Sequence, residues 1–193
     1  MDAVLLAELR RRYAEPHRHL HVWSHVAAML AEAEEVAAAI ADRPAFILAV
    51  LFQRAVFDRR SPDAAARSVA LMRQMVGPAV PAARHARTEA LVMALARQEL
   101  PETRDASLRG DAALLLDMDR APLGAGAAAF AAHEAAHRAE YAHLTDDAYA
   151  AGRAAEVRLW LWRDRIFHTD RYALARERAA RRNLEGLLAR LEG

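Results

Sequence analysis

Residues 15–25 read Glu15-Pro16-His17-Arg18-His19-Leu20-His21-Val22-Trp23-Ser24-His25 and hold four of the nine histidines of the chain. His17, His21 and His25 recur at every fourth position, a spacing that places side chains on one face of a helix. Such a face can carry a metal ion or a phosphate group. Three histidines at this spacing are, however, more often a solvated face or hydrogen-bonded core groups, so the rest of the chain must decide.

Composition predicts an all-α fold. Glycine and proline number only seven each among 193 residues, and they fall between long stretches rich in Ala, Leu, Arg and Glu, which are strong helix formers. No strand-like alternation, repeat or linker interrupts these stretches, so residues 1–193 are predicted to form a single domain. Pro44 and Pro81 suit first helical turns, Thr145 suits a cap, and Gly77-Pro78 marks a stop. The helices are predicted near 3–13, 17–41, 44–57, 62–76, 82–99, 107–117, 125–143, 147–167 and 171–191.

Charge and cysteine content narrow the class of protein. The 27 basic residues, all arginine, balance 26 acidic ones, and a net charge of +1 gives no field that would attract nucleic acid or acidic lipid. The absence of cysteine excludes disulfides, thiolate metal ligands and a cysteine nucleophile. The N-terminus meets charged residues too early for a signal peptide, and apolar runs such as 45–52 are far shorter than the roughly 20 residues that span a bilayer. A cytoplasmic protein without a membrane segment is expected.

A series of motifs extends from the histidine stretch to the C-terminal helix. They are Tyr13-x-Glu15-Pro16-His17-Arg18-His19-x-His21-x-x-x-His25, Leu115-Leu116-Asp117-Met118-Asp119-Arg120-x-x-Leu123-Gly124, Glu140-Tyr141, Tyr149-x-x-Gly152-Arg153, Arg165-Ile166-Phe167-x-Thr169 and Ala180-Arg181-x-Asn183-Leu184. Together they resemble a bacterial family of predicted metal-dependent phosphohydrolases of the HD superfamily. The resemblance covers nearly the whole chain and implies an all-helical, HD-domain-like fold.

The resemblance also implies a metal site, and the chain departs from it at the centre. In that family a first His, an adjacent His-Asp pair and a distant Asp hold a divalent cation that activates water and offsets phosphoryl charge. Here His25 matches the first ligand and Asp119 the last, whereas Gln53-Arg54 replaces the middle pair. A guanidinium within about 4–6 Å of this position would repel a dication, so tight metal binding and a resident cofactor are not expected.

Two interpretations of Arg54 follow from its permanent charge. Arg54 can stand where the metal stood and bind a phosphate-containing small molecule, with Arg18, His21 and His25 lining the same pocket, because arginine binds phosphate oxygens bidentately without a cofactor. Alternatively, Arg54 can fill a degenerate site by forming an internal salt bridge, for which the carboxylates are Asp58, Asp117 and Asp119. The two interpretations carry about equal weight.

Three functions are therefore weighed. A non-catalytic ligand-binding or regulatory relative of the phosphohydrolases is preferred. The first alternative is an active metal-dependent phosphohydrolase, with a divalent cation held by regrouped ligands taken from His21, His25, Asp58, Asp117 and Asp119. The second is a helical scaffold that forms a homodimer through Ala-rich faces near 125–136 and through the C-terminal helix.

Two further features receive structural interpretations. His133-Glu134-Ala135-Ala136-His137 matches the H-E-x-x-H pattern of zinc proteases, but the pattern is short and no third ligand is evident, so a polar surface is expected there. Trp160, Trp162 and Phe167 could stack on bases, yet their spacing favours packing in the core.

Overall fold

A computed structural model describes residues 3–193, and within them the secondary structure is entirely helical. The prediction of an all-α fold is confirmed. The α-helices are α1 (Ala3–Arg12), α2 (Trp23–Glu35), α3 (Arg43–Phe52), α4 (Ala64–Val76), α5 (Ala82–Arg97), α6 (Ala106–Arg120), α7 (Ala127–Glu140), α8 (Asp146–Trp162) and α9 (Asp170–Glu192). Short 3-10 helices cover Ala37–Ala39, Gly77–Ala79 and Ala121–Gly124.

Caps and breaks explain several of these bounds, and Pro44, Thr145 and Gly77 were predicted from the sequence. Asp42 caps α3 by accepting a hydrogen bond from the Ala45 N–H, and Pro44 lies in the first turn. The Thr145 hydroxyl accepts from the Ala148 N–H at the start of α8. Helix α4 ends at Val76, and the Gly77 that follows has a φ of +54°, in the region that favours glycine.

The chain divides into two compact units. The first unit extends to Met118, and α3 lies at its centre, in contact with α2, α4 and α5. This position explains why α3 is apolar on every side: its buried residues are Ala45, Phe46, Ala49, Val50, Leu51 and Phe52.

The second unit runs from Asp119 to Gly193. Helix α8 packs along α9, and the 3-10 helix Ala121–Gly124 contacts both α7 and α9. The Asn183 amide donates hydrogen bonds to the carbonyls of Leu123 and Ala125, at 2.8 and 2.9 Å, and fixes α9 against this segment. None of the helices within residues 3–193 combines the length and the apolar character needed to cross a membrane.

Candidate functional site

The segment between α1 and α2 is irregular, and the predicted helix over 17–41 is wrong in its first part. Helix α2 begins only at Trp23, so His25 is helical whereas His17 and His21 are not. The three histidines therefore do not share one helical face. The physical reason is a set of contacts from Arg18 to a distant part of the chain, which no local pattern encodes.

The Arg18 side chain is completely buried and joins the histidine segment to the end of α3. Its Nη1 donates to the Arg54 carbonyl at 2.7 Å and to the His21 carbonyl at 3.4 Å, and its Nη2 donates to the Ala55 carbonyl at 3.3 Å. Glu15 balances the charge, at 2.9 Å from Nη2 and 3.0 Å from Nε. We call these contacts the Arg18 clasp. These contacts give Arg18 a structural role, and an anion would have to displace one of its partners to reach it; the anion contact of Arg18 stays a prediction.

Tyr13 holds the same end of α3, next to Arg18, whose guanidinium carbon lies 5.0 Å from the centre of the Tyr13 ring. Its hydroxyl donates to the Leu51 carbonyl at 3.0 Å and accepts from the Arg54 N–H at 3.3 Å. Burial raises the pKa of Tyr13 to about 12, so the hydroxyl keeps its proton and remains a donor. Both main-chain polar groups of Arg54 are thus fixed, its N–H by Tyr13 and its carbonyl by Arg18.

The ring of Phe57 contacts the rings of two histidines, His17 and His21. The buried His21 ring lies 4.9 Å from the Phe57 ring and 6.1 Å from the His25 ring, measured between centroids. The His17 ring stacks on Phe57 at 5.9 Å, and its Nε2 donates to the Phe57 carbonyl at 3.0 Å. The structure therefore brings His21 and His25 together in the unit that also holds the fixed Arg54 backbone.

Gln53 occupies the first replaced ligand position and faces α2. Its side chain is buried, and Nε2 donates to the sulfur of Met29 at 2.9 Å. Its Oε1 is also buried and has no hydrogen-bond partner within residues 3–193. A divalent cation prefers imidazole and carboxylate ligands, but these positions hold the Gln53 amide, which points to a thioether, and the positively charged Arg54. The residues present therefore do not fit the implied metal. Within residues 3–193, no three His, Asp or Glu side chains form a group that could hold one.

The three predicted carboxylates lie in different settings. Asp58 is exposed, and its Oδ1 accepts from the Arg60 N–H at 2.8 Å in a local turn. Asp117 is fully buried near the end of α6 in the first unit. Asp119 is half-buried on the same helix and is the first residue of the second unit. Asp58 is therefore engaged locally, as a turn residue.

The H-E-x-x-H motif lies on α7 and forms a buried ion pair rather than the expected polar surface. Arg153 of α8 binds both Glu134 oxygens, at 2.6 and 3.0 Å, and also Glu156 at 2.7 Å. Burial alone would raise the pKa of Glu134, but hydrogen bonds with His133 and Arg153 outweigh it and lower that pKa to about 2. A carboxylate of this kind is a poor general base, which favours a structural role.

The aromatic residues near the end of α8 divide into two groups. Trp160 and Phe167 are buried, as predicted, and the guanidinium groups of Arg120 and Arg163 lie 4.5 and 4.4 Å from the Trp160 ring centroid. The prediction is wrong for Trp162, which is 86% exposed. Helical spacing alone does not show where the buried face of α8 ends.

Sequence reasoning missed the residues that shape this region. Tyr13 begins the motif of residues 13–25, but nothing in its spacing shows that its hydroxyl would hold the end of α3. Phe57 is an apolar residue, and no sequence pattern shows that the rings of His17 and His21 would pack against it. Comparison of the chain with protein-family models, with curated proteins and with solved structures gave no match.

Proposed function

We propose that this protein is a non-catalytic relative of the HD-superfamily phosphohydrolases that binds a phosphate-containing small molecule without a metal ion. The observation that carries the proposal is the fixed main chain of Arg54 at the replaced ligand position, where Tyr13 binds its N–H and Arg18 binds its carbonyl. A fixed backbone lowers the entropy that a binding arginine loses when its ligand arrives.

The neighbours of Arg54 support an anion as the ligand. The Arg18 clasp contacts both the His21 and the Arg54 carbonyls, and the His21 ring lies against His25. A guanidinium supplies two parallel N–H donors to phosphate oxygens, and an imidazole adds a further donor. Arg54 would bind the phosphate group, with His21 and His25 at its side.

The chemistry of Gln53 and Arg54 supports binding without hydrolysis. Neither side chain replaces the imidazole and carboxylate of the family, which hold the cation that activates water. The balanced charge of the chain gives no support for a nucleic-acid partner, and a cytoplasmic location remains part of the proposal.

The test compares phosphate binding by the wild type, Arg54→Gln and Arg60→Gln. Arg60 is exposed six positions further along and serves as the matched control. We expect inorganic phosphate and a nucleoside monophosphate to raise the melting temperature of the wild type and of Arg60→Gln, and Arg54→Gln to lose this response while keeping its helical circular dichroism. Should Arg54→Gln not fold, Arg54→Lys is expected to fold and to bind phosphate more weakly, because lysine lacks the bidentate fork.

Two results would overturn the proposal. One is a wild-type melting temperature that phosphate leaves unchanged, or an equal response in the Arg54 variant. The other is about one equivalent of tightly held metal, found by elemental analysis of protein purified without chelator, together with phosphatase activity. That result would favour the active phosphohydrolase instead.

A further inference from the structure

A cavity lies in the first unit, away from the histidine segment. Its volume is about 460 Å³, within the range of roughly 300–1,000 Å³ that small-molecule pockets occupy. It opens between the start of α5, the loop before α3 and the start of α6. The residues that line it are Asp42, Pro81, Ala83, Arg84, Ala86, Arg87, Asp105 and Leu108.

Buried hydrogen bonds fix the walls of this cleft. The Asp111 carboxylate, which is 1% exposed, accepts from the N–H groups of Ala41 and Asp42, at 2.8 and 3.2 Å. It also accepts from Arg87 Nη2 at 2.8 Å. One carboxylate therefore holds the loop before α3, helix α5 and helix α6 together, and the cleft is formed before any ligand arrives.

Arg84 brings unused donors to the cleft. Its Nε donates to the Asp42 carboxylate at 3.2 and 3.4 Å, whereas its two terminal nitrogens make no hydrogen bond within residues 3–193. On the neighbouring turn, Arg87 Nε is buried and has no hydrogen-bond partner within the same part of the chain. No side chain caps the start of α5 at Pro81.

The remaining lining limits the ligand to a particular chemistry. Pro81, Ala83, Ala86 and Leu108 form an apolar wall beside Arg84. The carboxylates of Asp42 and Asp105 lie in the same cleft and would repel a dianion such as a phosphate monoester more strongly than a single negative charge.

We propose that this cleft binds a small monocarboxylate with an apolar tail. The carboxylate would accept hydrogen bonds from the terminal nitrogens of Arg84, and the tail would lie against Ala86 and Leu108. This site is separate from the proposed phosphate site, since the two share no residue.

The probes are straight-chain monocarboxylates from acetate to hexanoate, titrated into the full chain and followed by amide chemical shifts. We expect the amides at the start of α5 to shift and the affinity to rise with each buried methylene, by up to about fourfold. Arg84→Gln should weaken binding roughly ten- to hundredfold, because it removes a charged hydrogen-bond donor. Arg73→Gln, which alters an exposed arginine of α4 paired with Glu89, should bind like the wild type.

A second variant keeps the test independent of the folding of Arg84→Gln. Ala86 is exposed on α5, so Ala86→Phe should fold normally and block binding by filling the cleft. Unchanged binding in both variants, an affinity that does not depend on tail length, or tighter binding of inorganic phosphate at these amides would each overturn the proposal. Arg54→Gln should leave monocarboxylate binding intact, which separates this site from the proposed function.

Discussion

At the scale of single residues, three arginines of this chain donate to main-chain carbonyls at or beyond the ends of helices. Arg18 binds carbonyls beyond the end of α3, Arg138 those of Tyr141 and Leu144 beyond α7, and Arg181 those of Leu161, Arg163 and Asp164 at the end of α8. The last carbonyls of a helix lack intrahelical partners, and one planar guanidinium can satisfy several of them. Lysine, with a single ammonium on a flexible stem, would not replace these contacts.

Arg18→Met tests this role. The substitution leaves the carbonyls of Arg54 and Ala55 without donors in a buried setting, so we expect the free energy of unfolding to fall by about 2–4 kcal/mol. The measurement is urea denaturation followed by circular dichroism. Arg11→Gln removes an exposed arginine paired with Glu8 and should leave the urea midpoint nearly unchanged. Equal stabilities of the two variants would show that the clasp contributes nothing specific.

At the scale of elements, sequence patterns predicted where helices form better than where they end. Helix α3 was expected to reach residue 57 but ends at Phe52, and α8 was expected to reach 167 but ends at Trp162. In both cases the chain that follows is held by distant side chains. Tyr13 and Arg18 act on α3, while Glu177 accepts from the N–H groups of Ile166 and Phe167 after α8. Helix propensity depends on residues that are close in the sequence, whereas these contacts come from residues elsewhere in the chain. The helix ends therefore could not be predicted from propensity.

The candidate site, like the helix ends, depends on contacts between residues that are far apart in the sequence. The motif contains Arg18, His21 and His25, and the structure joins Arg18 to the carbonyls of His21 and Arg54 and places the His21 ring near His25, while the binding role of these residues stays a prediction. The predicted helical face was wrong because residues 17–22 are not helical; the buried Arg18 binds main-chain carbonyls beyond the end of α3 instead. No pattern around Gln53 could have shown that its amide would meet Met29, since that contact depends on how α2 packs on α3.

Two glycines, one packed tightly against α9 and one exposed on α8, allow a matched pair of substitutions. A Cβ at Gly124 would lie 2.7 Å from Arg176 Cβ and 2.9 Å from the Arg176 carbonyl oxygen, so Gly124→Ala should lower stability by about 1–3 kcal/mol. Gly152 lies within α8 with no atom within 4 Å of the added Cβ. Gly152→Ala should therefore raise stability by about 0.5–1 kcal/mol. Thermal denaturation of both variants checks the pair, and effects of equal sign would contradict it.

At the scale of the whole molecule, each unit contains its own buried polar network. The first has Asp111 with Arg87 and the loop before α3, and the second has Glu134 with Arg153. Most of the other ion pairs are exposed and contribute little. The response of the protein to acid therefore depends strongly on the few carboxylates that are buried.

Glu134 is expected to make the protein sensitive to acid. Its pKa is about 2 in the folded state, against an ordinary value of 4.5, so its ion pair contributes fully above about pH 4.5 and is lost as the pH falls towards 2. Glu134→Gln should lower stability by about 3 kcal/mol at pH 7 and flatten the decline of stability between pH 4.5 and 2. Urea denaturation across this range is the measurement. Glu156→Gln, which alters the half-exposed partner of the same arginine, should show a much smaller change, and an unchanged acid response in Glu134→Gln would contradict the assignment.

The Arg18 clasp also constrains the order in which the chain folds. It connects residues 36 positions apart, so it can close only after α2 and α3 have turned back on one another and the entropy of that loop has been lost. Segment 15–22 therefore takes its shape from α3 rather than from its own sequence. The stretch with the most distinctive sequence in the chain would then be among the last to reach its native conformation.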